Sequence, residues 1–492
     1  MGTLFPSVTC FLQRKPSKTT SPETTNTEHW ETTLYILMIE DYSLRDKKRK
    51  FSPSKEKPPV KIEMMHPHQI ILSEEVSVDK NDDSRLEEFR QLKRDIRGST
   101  QHLVVGMDIA KERHHAFFGT PAGKVLLHRL VFDNTRDGFE KLCFQADILK
   151  TQHGLAHVVF GMEPSSDYHK PLGEYLIEHG HGVVLVAGTA VKKNRELLDN
   201  RWDKHDTKDA ANVADLVTQG KCLFYEFPSL SLRELRSLLS LKRRLKKSEQ
   251  GYKVRIRNHL IAQYFPEMDA YFNYAEGLVR CLDPKKLAGL QFREFVRMVP
   301  GKQEERLGEI YAKAAFSIGC EGHPSVAFEA SLLLDGLKSL HLMILETDRR
   351  IAEVCKKFPE YPCLLSIPGF GPDISAKVLG ALGNPHRFEN HRQVLKMAGL
   401  DLSADRSGKR TDVTPVISKK GKADLRYGLY QAALIASTRN TQFMSYFTNK
   451  LQGREKEKGI GTKMRVKLSA KMLVIAWTLM KKKEMFDPGC LG

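Results

Sequence analysis

Four carboxylates and one serine in this sequence have the types and spacing to do chemistry. Asp108 follows Gly-Met at the end of an apolar run, in GMDIA, and Glu163 follows Gly-Met at the end of another, in GMEPS. Asp206 and Asp209 stand three residues apart in KHDTKDAAN, a spacing that puts both on one face of a helix. Four acids drawn together repel one another unless a hard cation takes their oxygens, and Mg²⁺ is such a cation. Two ions about 4 Å apart would activate a nucleophile and stabilise a leaving oxygen in phosphoryl transfer. Taken singly, each acid is better explained as a turn former or helix cap. The ordered set, at two strand ends and on one helix, is what points to metal.

The serine is Ser418, in TPVISKKGKADLRYGLY, with Lys419, Lys420, Lys422 and Arg426 close behind it. Lys409 and Arg410, in the preceding SGKR, extend the same cationic stretch. The residues leave three roles open for Ser418: a helix cap, a phosphate binder or a nucleophile. Gly421 and the distance to a helix beginning near Lys422 weaken the first. Ser366, Ser403 and Ser407 are the competing hydroxyls.

The elements that must position these groups can be read from periodicity. LVVGMDI (103–109), HHAFFG, KVLLHRLVF, HVVFGME (157–163) and VVLVAG (183–188) read as strands, with helices over 134–150, 168–179, 190–198 and 206–219. Three strands followed by alternating helices and strands is the order of an α/β domain with a mixed sheet. A long helix over 230–265 carries an apolar stripe from Leu232 to Leu245. Its stretch 233–257 holds ten Lys/Arg against two Glu, an imbalance too large for local salt bridges and suited to a phosphate-facing surface. Arg243, Arg244, Lys246 and Lys247 are its candidate contacts. A second long helix over 326–354 is expected to pack against it. IPGFGP, with Gly369 and Gly371, lies between two helical patterns and reads as a helix–hairpin–helix that would meet phosphate through backbone N–H groups.

Composition agrees with a polyanion partner. The 492 residues carry a formal net charge of +18 and a sequence pI near 9.4. The eight cysteines include no CxxC pair, which argues against a zinc ribbon. No signal peptide or bilayer-length apolar run is visible, so a cytoplasmic protein without a membrane partner is expected. Residues 1–100 read as a disordered extension, in which Met64 or Met65 could be a nearer start.

Together, Asp108…Glu163…Asp206-x-x-Asp209, IPGFGP and SGKR…ISKKGKADLRYGLYQAA resemble the insertion-sequence-110 family of DNA recombinases, which includes Piv-type invertases. The resemblance runs from about residue 102 to 482. It implies a RuvC-like (RNase H-like) mixed-sheet domain over 101–222 and a helical, coiled-coil region over 223–360. An all-α C-terminal transposase domain over 361–483 and a tail over 484–492 would complete the chain. It implies that Asp108, Glu163, Asp206 and Asp209 hold Mg²⁺, two ions being expected, and that Ser418 is a covalent nucleophile. It further implies a homodimer or tetramer in which acids and serine meet across protomers, DNA as substrate, a structured guide RNA, and a bacterial or archaeal nucleoid setting. Two other readings compete: a RuvC-like nuclease or junction resolvase that uses water, and a non-catalytic nucleic-acid-binding protein.

Overall fold

A computed structural model describes residues 75–199, 206–271, 282–299, 304–403 and 416–491. The side chain of Asp206 and all of Ser407, Lys409 and Arg410 lie outside the described residues.

The first element, α1 (Glu75–Asp95), corrects the expectation of a disordered extension running to residue 100. Leu86, Phe89, Leu92 and Ile96 recur every three or four residues, and this stripe packs on the α/β domain; Leu86 and Ile96 are fully buried. Arg85, Arg90 and Arg97 donate to the carbonyls of Tyr225, His386 and Gln219. The helix is polar overall because only that narrow stripe is covered.

The sheet follows as β1 (His102–Asp108), β2 (Arg113–Gly119), β3 (Val125–Asp133), α2 (Arg136–Gln152), β4 (His157–Met162), α3 (His169–Glu178), β5 (Gly182–Leu185), α4 (Gly188–Asp199), α5 (Asp206–Thr218) and β6 (Leu223–Phe224). Strand order is β3-β2-β1-β4-β5-β6. β1, β4 and β5 are parallel and the other pairings antiparallel, which is the mixed sheet the element order implied. Alternation along β1 sends Leu103, Val105 and Met107 into the core under α2 and α3, and Val104 into the core under α5.

The next helix, α6, spans Leu230–Arg255 and continues through a π-helical turn, Ile256–Ile261, that buries Ile256, Leu260 and Ile261. It pairs with α10 (Pro324–Cys355). Ion pairs Glu234–Lys357, Lys242–Asp348 and Arg255–Glu329 run in opposite order along the two chains, so the helices are antiparallel. Between them, α7 (Pro284–Gly289), α8 (Phe292–Met298) and α9 (Glu304–Ala314) form an outer core with the far ends of the pair, a unit that periodicity did not reveal.

The C-terminal part comprises α11 (Glu360–Leu365), α12 (Pro372–Leu382), α13 (His391–Ala398), the hairpin β7 (Leu402–Ser403) and β8 (Val416–Ile417), α14 (Ala423–Arg439), α15 (Thr441–Leu451) and α16 (Ile460–Lys482). They share one core that reaches back to Leu235 on α6. None of the described helices is long and apolar enough to cross a membrane.

Candidate active site: a carboxylate cluster and a cationic serine hairpin

β1 and β4 carry the same pattern, valine, glycine and acid at alternate positions: Val104, Gly106, Asp108 and Val159, Gly161, Glu163. Their parallel register aligns Val104 with Val159 and Gly106 with Gly161. One residue past the aligned Met107 and Met162, the same offset puts Asp108 beside Glu163, on strands about 4.8 Å apart. By alternation both acids share the face of Val104 and Val159, the face covered by α5.

The two glycines let α5 lie directly on the sheet. A Cβ on Gly106 would stand 2.2 Å from the Ala210 carbonyl oxygen, and one on Gly161 would stand 2.6 Å from Val217. The helix runs against β1, because its C-terminal end at Gln219 is held by Arg97, just before β1 begins. Its N-terminal end, with Asp206 and Asp209, therefore lies at the carboxyl ends of β1 and β4, where α/β folds place their ligands. Asp209 is 2% exposed and pairs with Arg195 of α4 at 2.6 Å. Asn194 bonds to Asn212 and Asp215, and Asn212 returns a bond to the Val191 carbonyl, which clamps α4 to α5. The Glu163 carboxylate leans over Gly188, at the start of α4. His115 stands directly across from Asp108 in β2. The described residues thus bring Asp108, Glu163 and Asp209 to one end of one face. Among the described residues no three His, Cys, Asp or Glu groups are close enough to hold a metal ion together.

Ser418 follows β8, one position beyond the Leu402–Ile417 pair, so it faces Asp401 across the hairpin. Its backbone N–H donates to the Asp401 carbonyl at 2.8 Å, and its hydroxyl donates to the Asp401 carboxylate at 2.5 Å. The Lys420 N–H reaches Ser418 Oγ at 3.3 Å. Lys419 takes a left-handed conformation, φ 56°, a local strain that turns the chain sharply after the serine. Lys419 and Lys420 are exposed. Lys422 is exposed along its stem, but its amine turns inward to the Ala381 carbonyl and is pushed down to about 8 by lost hydration and by Arg236 and Arg387. Arg426 is committed to the carbonyls of Ala398 and Lys419.

The other candidates divide. Gly369, at φ 88°, is pressed against α14, where a Cβ would meet the Ala432 carbonyl at 2.5 Å, while Gly371 is open. The first turn of α12 is occupied by Asp373, which is bonded to Lys242 and Lys377. Burial works against the Lys242 charge, but Asp373 and Asp348 outweigh it and raise its pKa. On α6 the expected shortage of partners is made good from other elements: Glu174, Glu226, Asp348 and Asp424 take Arg233, Arg236, Lys242 and Arg243. Lys246 pairs with Glu249 within the helix. Arg244 and Lys247 are exposed, with no ion pair among the described residues. Ser366 is a tie between the Cys363 carbonyl and the Phe486 N–H.

Two family models match these two regions. Residues 105–266 match the DEDD transposase model of IS110, and residues 361–448 match the transposase model of the IS116/IS110/IS902 family. The chain belongs to the IS110 family of transposases. Relatives include an insertion element IS116 uncharacterized 44.8 kDa protein of Streptomyces clavuligerus. It is 23% identical over 79% of this chain and 98% of its own length. An insertion element IS110 uncharacterized 43.6 kDa protein of Streptomyces coelicolor is 24% identical over 62% of this chain and 77% of its own. Membership in the IS110 family makes this a DNA-acting, strand-cutting and rejoining enzyme, and its DEDD domain implies a divalent metal. Sequence reasoning missed Asp401 and Arg195. Asp401 pairs with Ser418 and Arg195 with Asp209 only through tertiary contact, which leaves no periodic signal.

Proposed function

We propose that this IS110-family transposase cuts DNA by direct attack of Ser418 on a phosphodiester, with Asp108, Glu163, Asp206 and Asp209 holding Mg²⁺. The single observation that supports the reading is the register of β1 and β4, which sets Asp108 and Glu163 side by side at the strand ends beneath the N-terminal end of α5 that carries Asp209. The donor set is all oxygen, which fits a hard divalent cation. Bound there, the metal would supply charge stabilisation for the phosphoryl group in flight. Ser418 forms the bond to phosphorus and holds one strand as a phosphoserine ester until a second strand displaces it. Lys419 and Lys420 offset phosphate charge at the serine, and Arg244 and Lys247 hold nucleic acid along α6. The serine and the acids lie on different parts of the chain, which supports their meeting across protomers of a dimer or tetramer. The same basic surface suits a structured guide RNA.

A covalent-adduct assay tests this. Protein is mixed with Mg²⁺, labelled DNA of its own element ends and flanking RNA, and resolved on a denaturing gel. The expected result is an adduct lost in both Ser418→Ala and Asp108→Ala. Cleavage that survives Ser418→Ala without an adduct would assign the protein to water-using nucleases instead.

A further inference from the structure

A serine hydroxyl attacks phosphorus slowly until its proton is taken, so a serine nucleophile needs a base. We propose that Asp401 is that base, acting directly on Ser418. This rests on Ser418 being the nucleophile and adds a catalytic residue to the same site.

Three observations support it. The pair is locked by its backbone: the Ser418 N–H donates to the Asp401 carbonyl at 2.8 Å, one step beyond the Leu402–Ile417 register. The hydroxyl then donates to the Asp401 carboxylate at 2.5 Å, so its proton is already directed at that oxygen. The second contact on Oγ is the Lys420 N–H at 3.3 Å, a donor placed to stabilise negative charge as it develops on that oxygen.

The Lys420 contact alone would be an ordinary serine turn, in which a hydroxyl accepts from the N–H two residues on. Such a turn does not require a carboxylate 17 residues away. Nor does charge neutralisation explain Asp401. Its loop is crowded with cations, yet Lys422 reaches the Ala381 carbonyl and Arg426 the carbonyls of Ala398 and Lys419. Among the described residues, the one side chain hydrogen-bonded to Asp401 is the serine. A carboxylate whose described side-chain partner is a hydroxyl rather than a cation is placed to take that hydroxyl's proton.

The step balances without a further reagent. The Oγ–P bond forms as the bond from phosphorus to the departing strand's oxygen breaks. The Oγ proton passes to Asp401, and the departing oxygen takes a proton from solvent.

The test is the single-turnover rate of adduct formation in the full-length protein with Mg²⁺, element-end DNA and flanking RNA. DNA affinity and thermal midpoint are measured beside it. Asp401→Asn is expected to lower the rate by about 10²- to 10⁴-fold, the usual contribution of a general base, with DNA affinity within about twofold of wild type. Asp401→Glu should recover part of that loss. A rate for Asp401→Asn within about threefold of wild type overturns the assignment, as does a rate loss matched by an equal loss of DNA affinity. Should Asp401→Asn not melt cooperatively, Asp401→Glu is compared with Asp401→Gln, matched in size and differing in the carboxylate; equal rates overturn it. An adduct that persists in Ser418→Ala, or fails to form in wild type, removes the serine reading itself and this inference with it. An intact serine adduct with indifferent Asp401 variants removes only the base.

Discussion

Asp209 is a carboxylate almost wholly removed from water, and Arg195 is what makes that tolerable. Cutting one partner from a buried ion pair leaves the other charge uncompensated. Arg195→Ala should therefore lower stability by roughly 3–5 kcal/mol in urea unfolding, and adding Asp209→Asn should recover most of it. A loss under about 1 kcal/mol would show Asp209 to be solvated. Lys422 gives a second residue-scale expectation. Its amine sits at about 8 in the fold, against an ordinary value of 10.5. Between those values the unfolded chain holds the proton and the folded chain does not, so this group makes stability rise with pH there. Wild type should gain stability relative to Lys422→Met from pH 8 to pH 10; a constant difference would refute the depressed amine. Asp108 and Glu163 stand out in the sequence because Gly-Met-acid closes two apolar runs. Arg195 and Asp401 do not, because each acquires its partner only when α4 meets α5 or β7 meets β8.

Among the elements, the fit of α5 on β1 and β4 sets the geometry of the whole cluster. Gly106→Ala drives a methyl group into the helix backbone at Ala210 and Ala214, atoms that cannot rotate aside. A loss of at least about 1–3 kcal/mol is expected, with the Asp209 end of α5 shifted from the ends of β1 and β4 and activity falling more than stability. Gly161→Ala meets a Val217 methyl group rather than helix backbone, and should cost less. Thermal midpoints of the two variants check the order, and equal costs would contradict it. Strands and helices of this domain were readable in order because their periods of two and 3.6 are clean. β6 escaped because two residues carry no period, and α7–α9 because their short apolar faces are shared with the ends of α6 and α10.

For the whole molecule, a charge of +18 overstates what is free to meet phosphate. Much of the cationic face of α6 is spent on internal acids, which a count along the helix could not reveal. Replacing Arg244 and Lys247 together by alanine should weaken DNA binding and reduce its logarithmic salt slope by about 1.8, near 0.9 for each lost contact. An unchanged slope would make α6 a solvated surface.

The antiparallel pair α6–α10 joins two apolar clusters that have no buried residue in common. α10 has Leu334 buried in the outer cluster, and its next buried side chain is Ile344; α6 has none between Leu235 and its end at Arg255. Burial is thus interrupted, and with it the cooperativity that burial confers. The two clusters should unfold as separate units. In native-state hydrogen exchange, amides of α7–α9 should open at lower free energy, and at lower denaturant, than those of α14 and α16. A single shared opening energy would mean that the helix pair transmits stability along its length.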